Sequence, residues 1–167
     1  MQYRTQTVAR LGLLTALALV LGWLEAQLPA LPGLPGVKLG IANTVLLYVL
    51  VFYGGRQALG VMLTRVCLAG LLYAGFTGFW YSLAGGLLSL GVMLLLRRFG
   101  GLSLVGVSIG GAAAHNLGQL CVACVFIGHR AALAYAPILL VAGIMTGALT
   151  GVCAQLILRA LRGGQGK

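Results

Sequence analysis

The sequence predicts an all-helical integral membrane protein in which six transmembrane helices form one bundle, with both termini on the cytoplasmic side. Of its 167 residues, 60% are hydrophobic and only 7% are charged, whereas about 25% of the residues in soluble domains are charged. Long apolar runs recur along the chain, and basic residues fall singly or in pairs at their ends. So few charged side chains cannot cover a water-soluble surface, and most of the surface is therefore expected to face lipid or protein.

The apolar runs define six predicted spans within a single domain, residues 1–162. A helix that crosses a hydrocarbon core of about 30 Å needs about 20 residues. The second span is shorter and follows a loop rich in proline and glycine, which is typical of a helix that lines a cavity. The last residues, 163–167, are expected to be disordered. The predicted spans are about 8–28, 38–53, 57–74, 78–96, 103–127 and 131–160.

The basic residues predict the orientation of the bundle. With the N-terminus inside, eight of them lie at cytoplasmic ends of spans, whereas Lys38 and Arg130 lie at outer ends and Arg65 lies within the third span. This excess follows the positive-inside rule, and an even number of spans returns the C-terminus to the cytoplasm. The alternative, a cleaved signal peptide, is disfavoured because the run from Leu11 is too long. The eight cytoplasmic residues are Arg4, Arg10, Arg56, Arg97, Arg98, Arg159, Arg162 and Lys167.

The composition excludes several classes of function. Glu25 is the only carboxylate side chain, which rules out paired-carboxylate catalysis, a Mg²⁺-diphosphate site and a Ca²⁺ loop. The net charge of +10 is spread between apolar runs and does not form the basic face of a nucleic-acid-binding protein. Cys121 and Cys124 lie in an apolar run without a convergent histidine, so we expect neither a metal site nor a disulfide framework. No catalytic residue and no cofactor is predicted.

Rows of small residues predict where helices approach closely. Gly143, Gly147 and Gly151 are spaced by four, as are Gly106 and Gly110, and in lipid such rows supply much of the attraction between helices. For the fifth and sixth spans, packing within this chain is the favoured interpretation. On the first span the small residues occupy two adjacent faces, which is more than one neighbour requires. They would suit docking of another membrane subunit.

Polar side chains in or beside the spans are the candidate binding residues, because such groups at membrane depth usually face a cavity or a partner. His115 and Gln119 share one helical face with Asn116 beside it. Lys38 and Arg65 outnumber Glu25, so a shared cavity would suit an anionic or strongly polar, planar ligand. Aromatic rings at the outer ends can stack on such a ligand. The predicted substrate-binding residues are Glu25, Lys38, Asn43, Arg65, Trp80, Tyr81, His115, Asn116 and Gln119.

Each of these groups also has a purely structural interpretation. Glu25 and Arg65 can neutralise each other without binding anything. Trp80 and Tyr81 have the position of interfacial anchors, and the His115 group can serve as hydrogen-bonding contacts between helices. The proline- and glycine-rich loop before Lys38 is a candidate gate.

Four motifs carry a resemblance to a known family. The sequence resembles the Gx transporter family, also known as heptaprenyl diphosphate synthase component I, over about residues 8–160. That family is similar in turn to the substrate-binding S components of energy-coupling-factor vitamin transporters. The motifs are Pro35-Gly-Val-Lys-Leu-Gly-Ile-Ala-Asn43, Arg65, Tyr81-Ser-Leu-Ala-Gly-Gly-Leu-Leu-Ser89 and Ala114-His-Asn-Leu-Gly-Gln119.

The resemblance implies a multi-pass protein of the bacterial cytoplasmic membrane that takes up a small anionic or heteroaromatic micronutrient. It implies an outward-facing pocket closed by the first outer loop, and a membrane coupling subunit docked on the first helix at Ala9, Gly12, Ala16 and Ala18. The chain lacks a phosphate-binding Gly-x-x-x-x-Gly-Lys-Ser/Thr loop, so ATPase subunits would have to supply the energy. The alternative is a non-catalytic membrane accessory or anchor of a prenyl diphosphate synthase or redox system.

Overall fold

A computed structural model describes residues 2–27 and 41–163, and every regular element in these ranges is helical. The predicted all-helical class is therefore confirmed for this part of the chain. The whole candidate gate, Lys38 and the last four residues lie outside the described residues. The elements are α1 (Gln2–Gln27), α2 (Ile41–Phe52), α3 (Gly55–Ala69), a π-helical turn (Gly70–Ala74), α4 (Gly75–Arg98), α5 (Leu104–Ile127) and α6 (His129–Gly163).

Among the described residues, four helical stretches are long and apolar enough to cross a membrane by length and composition: Thr5–Gln27, Gly55–Arg98, Leu104–Ile127 and Ala136–Ala160. The chain is accordingly a multi-pass helical membrane protein. Helix α2 is apolar but has only 12 residues, which gives a length of about 18 Å, less than the hydrocarbon core. Six crossings and cytoplasmic termini stay predictions.

The stretch Gly55–Arg98 contains the third and fourth predicted spans. Its 44 residues would measure about 66 Å as one straight helix, about twice the hydrocarbon thickness. The chain instead bends back after the π-helical turn, at Gly75, which begins α4 with a φ of 66°, a conformation that glycine tolerates best. Helices α3 and α4 consequently pack against each other, and Gly70 lies against the side chain of Phe79.

Helix α2 lies at the centre of the apolar core. Leu47, Val49 and Leu50 are almost completely buried, and they belong to one cluster with Met62 of α3 and Met93 of α4. The last four carbonyl groups of a helix lack partners within it. Here Arg97 Nη1 donates a hydrogen bond of 2.6 Å to the Leu50 carbonyl oxygen, which links the C-terminal ends of α2 and α4.

The glycine row of α6 packs against α5, as predicted for packing within the chain. A Cβ atom at Gly147 would lie 2.8 Å from the Cα of Ile109, and one at Gly151 would lie 2.8 Å from the Cα of Val105. Ser108 and Thr150 share a hydrogen bond of 3.0 Å at this interface. Gly118 brings the other side of α5 equally close to the backbone of α4.

We expect Gly118→Ala to lower the free energy of unfolding by about 1–3 kcal/mol, because overpacking displaces the helices. The added Cβ would lie 2.6 Å from the carbonyl oxygen of Ala84. Gly91→Ala is the matched control, since nothing lies within 4 Å of its added Cβ. Thermal unfolding in mild detergent measures both variants. Equal stabilities for the two would contradict this account of the α4–α5 contact.

Candidate ligand-binding cavity

A small polar cavity lies among the helices, near the N-terminal end of α2. Each of the six described α-helices contributes at least one residue to its lining. Its volume is about 20 Å³, which is room for about one water molecule. The lining residues are Glu25, Ala42, Asn43, Leu46, Met62, Arg65, Val66, Ser82, Gly86, Ala112, His115, Asn116 and Thr146.

Five of the predicted binding residues meet at this cavity: Glu25, Asn43, Arg65, His115 and Asn116. They come from α1, α2, α3 and α5, and the positions contributed by different helices are far apart in the sequence. The cavity therefore joins the motifs that the sequence separates by up to 91 positions, from Glu25 to Asn116. Whether these residues bind a substrate stays a prediction.

Arg65 reaches the cavity beside a glycine of α1. A Cβ atom at Gly22 would lie 3.5 Å from Arg65 Nη2 and 2.8 Å from the hydroxyl of Tyr73, so Gly22 leaves the space that both side chains occupy. Tyr73 donates a 3.4 Å hydrogen bond to the Leu19 carbonyl oxygen. Glu25 follows Gly22 by three residues, is 8% exposed and lines the same cavity as Arg65. Arg65 is therefore held against α1.

One donor of the Arg65 guanidinium is not used within the described part of the chain. Its Nε atom is buried and has no hydrogen-bond partner there. A buried donor without a partner carries a desolvation cost that a suitable acceptor would remove. Because guanidinium groups present their N–H donors in a geometry that matches carboxylates and phosphates, the acceptor that fits best is an anion.

His115 and Asn116 enter the cavity from α5 in different ways. The ring of His115 occupies the space beside Gly85 of α4, where a Cβ atom would lie 2.8 Å from its Cε1. Asn116 Nδ2 donates a 2.6 Å hydrogen bond to the Leu139 carbonyl oxygen of α6. Asn116 thus also fulfils the structural interpretation, a polar contact between helices.

Three other predicted residues do not line this cavity. Gln119 is 3% exposed, and its Oε1 is buried without a hydrogen-bond partner among the described residues. Trp80 is 42% exposed and packs edge-on against Phe76 and Phe79, as expected for an anchor at a membrane interface. The ring of Tyr81 stacks on Phe126 with centroids 6.3 Å apart.

Two hydroxyl groups at the cavity, those of Ser82 and Thr146, were not among the predicted substrate-binding residues. Ser82 precedes the cavity residue Gly86 by one helical turn. Thr146 lies beside the glycines that face α5, and its Oγ1 donates a 3.3 Å hydrogen bond to the Gly143 carbonyl oxygen. Small hydroxyl residues are common in membrane helices, and for Thr146 only its position next to Gly147 could have signalled a place near α5.

The small residues of α1 divide between a groove and the interior. Gly12 and Ala16 line an apolar groove of about 460 Å³ between α1 and α3. Ala9 is exposed. Ala18 is only 2% exposed and packs inside the chain, so it presents almost no surface to another subunit.

These features define a class, the multi-pass helical membrane proteins with a polar cavity enclosed by their helices. The chain belongs to the heptaprenyl diphosphate synthase component I family, whose sequence model matches residues 14–157. The resemblance found in the sequence motifs is thus confirmed at the level of the family. Neither a curated protein nor a solved structure matches the chain, and the similarity to S components stays a prediction.

We expect the stabilities of Glu25→Gln and Arg65→Met to be coupled in a double-mutant cycle. Removing one of two interacting buried charges leaves the other uncompensated, so each single variant should lose stability and the double variant should lose less than their sum. The coupling should be about 1 kcal/mol or more, measured by unfolding in detergent. Arg65→Met combined with Thr15→Val serves as the control, because Thr15 lines the groove instead. If the losses of stability were additive in both cycles, Glu25 and Arg65 would not interact, which would contradict this account.

Proposed function

We propose that this protein is the substrate-binding subunit of an energy-coupling-factor-type uptake transporter and captures a small anionic or heteroaromatic micronutrient. The observation that carries the proposal is the largely buried Arg65 guanidinium, which has an unused donor at a cavity lined by all six described α-helices. A charged side chain inside a membrane-spanning helix usually serves a ligand or ion pathway. Membrane association and family membership are independent of this proposal.

The other lining groups suit a ligand that carries both charge and polar ring atoms. Asn43, Ser82 and Thr146 place amide and hydroxyl groups around the guanidinium. An amide both donates and accepts hydrogen bonds, as does a hydroxyl, so they can match the ring nitrogens and carbonyl groups of a heteroaromatic compound. Glu25 can accept a hydrogen bond from the ligand or remain the counter-ion of Arg65.

The present cavity is a closed state in this proposal. Its volume of about 20 Å³ is far below the roughly 300–1,000 Å³ of sites that hold small organic ligands. Ligand access therefore requires the helices to separate. Helix α1 is the helix that can move most easily, because an apolar groove separates part of it from α3. Helix α5, in contrast, is packed closely against α4 and α6 by glycine contacts.

Energy for transport would come from other subunits. We place the docking surface for a membrane coupling subunit at the groove residues Gly12 and Ala16, with the exposed Ala9 beside them. Both termini would face the cytoplasm of a bacterium, and ATPase subunits would bind to the coupling subunit. No enzymatic activity is assigned to this chain, because its single carboxylate side chain cannot form the metal-binding carboxylate clusters that diphosphate chemistry uses.

The second candidate function is that of a non-catalytic membrane accessory. The family name, which describes a component of heptaprenyl diphosphate synthase, favours this alternative. An accessory that anchors a prenyl synthase or a redox enzyme would use the predicted cytoplasmic ends of the helices, near Arg56, Arg97 and Arg98. It would not require the polar cavity.

Affinity purification from native membranes in mild detergent separates the two functions. The transporter proposal predicts that mass spectrometry will identify two ATPase subunits and a membrane coupling subunit with the tagged chain. A soluble prenyl synthase or redox enzyme, recovered without ATPases, would contradict the transporter proposal and support the accessory role. An unrelated membrane protein tagged and purified in parallel controls for nonspecific recovery.

Larger side chains in the groove between α1 and α3 should weaken docking of the coupling subunit without unfolding the protein. We expect Gly12→Leu and Ala16→Leu to reduce recovery of the coupling subunit by about tenfold or more, since an interface contact of about 1.4 kcal/mol corresponds to tenfold in affinity. No atom lies within 4 Å of an added Cβ at Gly12, so the fold should persist. Ala26→Leu, at an exposed position near the other end of α1, is the control. Unchanged recovery with both groove variants would rule out this surface.

A further inference from the structure

A second cavity, of about 300 Å³, lies at the opposite end of α2 from the polar cavity. It is formed where α2, α4 and α6 approach their C-terminal ends and α5 begins. Two arginines, Arg97 and Arg159, line it together with Gln155, and the remaining lining residues are Val51, Leu104 and Leu158. The cavity thus combines a cationic part with an apolar wall.

Several donors converge on this cavity. Arg97 uses Nη1 for the Leu50 carbonyl oxygen, which fixes the position of its guanidinium and leaves its other donors available. Leu104 opens α5. The Ser103 side chain caps this helix by accepting a 3.2 Å hydrogen bond from the Gly106 N–H, and the Leu104 and Val105 N–H groups have no partner within the helix. The dipole of α5 adds partial positive charge at the same place. The Gln155 amide supplies a further donor.

The chain contains no carboxylate side chain that can balance these arginines. Its only one, Glu25, lines the polar cavity near the other end of α2. Arg97 and Arg159 are exposed side chains, and an anion that pairs with them comes from outside the side chains of this protein. At a helix end near a membrane surface, the anions at highest local concentration are the phosphate groups of lipids.

We propose that this cavity binds the phosphate group of an anionic membrane amphiphile. The phosphate lies between Arg97 and Arg159, and the hydrocarbon chain follows the wall of Val51, Leu104 and Leu158. Both an anionic glycerophospholipid and a prenyl diphosphate have this chemistry. The site is separate from the polar cavity and does not depend on the transport function.

Native mass spectrometry of the full-length protein, delipidated in mild detergent, tests the proposal. The probes are dioleoyl phosphatidylglycerol, farnesyl diphosphate, dioleoyl phosphatidylcholine and inorganic phosphate. We expect at least one of the first two to bind about tenfold tighter than the last two, because charge-assisted hydrogen bonds and apolar contact both contribute. Preference for phosphatidylglycerol identifies a lipid source, and preference for farnesyl diphosphate identifies a prenyl source. Equal binding of phosphatidylcholine or of inorganic phosphate would overturn the proposal.

Charge-neutralising variants locate the site. Arg159→Gln should weaken binding of the preferred amphiphile by about tenfold. Arg98→Gln should leave it within twofold, because Arg98 is exposed like Arg97 and Arg159 but does not line the cavity. If Arg159→Gln does not fold, Gln155→Leu probes the same cavity with no change in charge. Equal losses in the cavity variant and in Arg98→Gln would show nonspecific attraction and overturn the site.

Discussion

The burial of one guanidinium group is the constraint on which the functional part of this structure depends. A charge in a membrane-spanning helix is stable only where other groups compensate its lost hydration. Arg65 is accommodated because Gly22 leaves space on α1 and because Glu25, the only carboxylate side chain in the sequence, lies one turn further along that helix. The single carboxylate side chain of the sequence thus lines the same cavity as the buried guanidinium.

Close packing through glycine sets the position of the cavity. Helix α5 approaches α4 at Gly118 and α6 at Gly147 and Gly151, so its backbone is fixed on two sides. His115 and Asn116 are consequently held at a defined depth, His115 beside Gly85 of α4 and Asn116 at the Leu139 carbonyl oxygen of α6. The short helix α2 then separates two chemically different sites, with Asn43 at the polar cavity and Val51 at the cationic cavity.

The sequence was sufficient for the helical class, for the α5–α6 glycine packing and for much of the cavity. Polar residues within the apolar runs are few, so the sequence alone was enough to identify several that share the cavity, such as Asn43, Arg65 and His115. Helical periodicity does not tell which neighbour a face meets, which is why Trp80 and Tyr81 were grouped with residues that the structure places elsewhere. The reversal between α3 and α4 was expected, but the π-helical turn and the positive φ of Gly75 required the structure.

The central claim is that Arg65 holds an anionic or heteroaromatic small molecule, and the most direct test is to identify what the protein carries. Wild-type, Arg65→Met and Arg159→Gln proteins would be purified from native membranes in the same detergent, and the small molecules released on denaturation would be identified by untargeted mass spectrometry. The account predicts one such compound in wild-type protein that persists in Arg159→Gln and is lost in folded Arg65→Met. Recovery of the same small molecules in equal amounts from wild-type and Arg65→Met protein would contradict it.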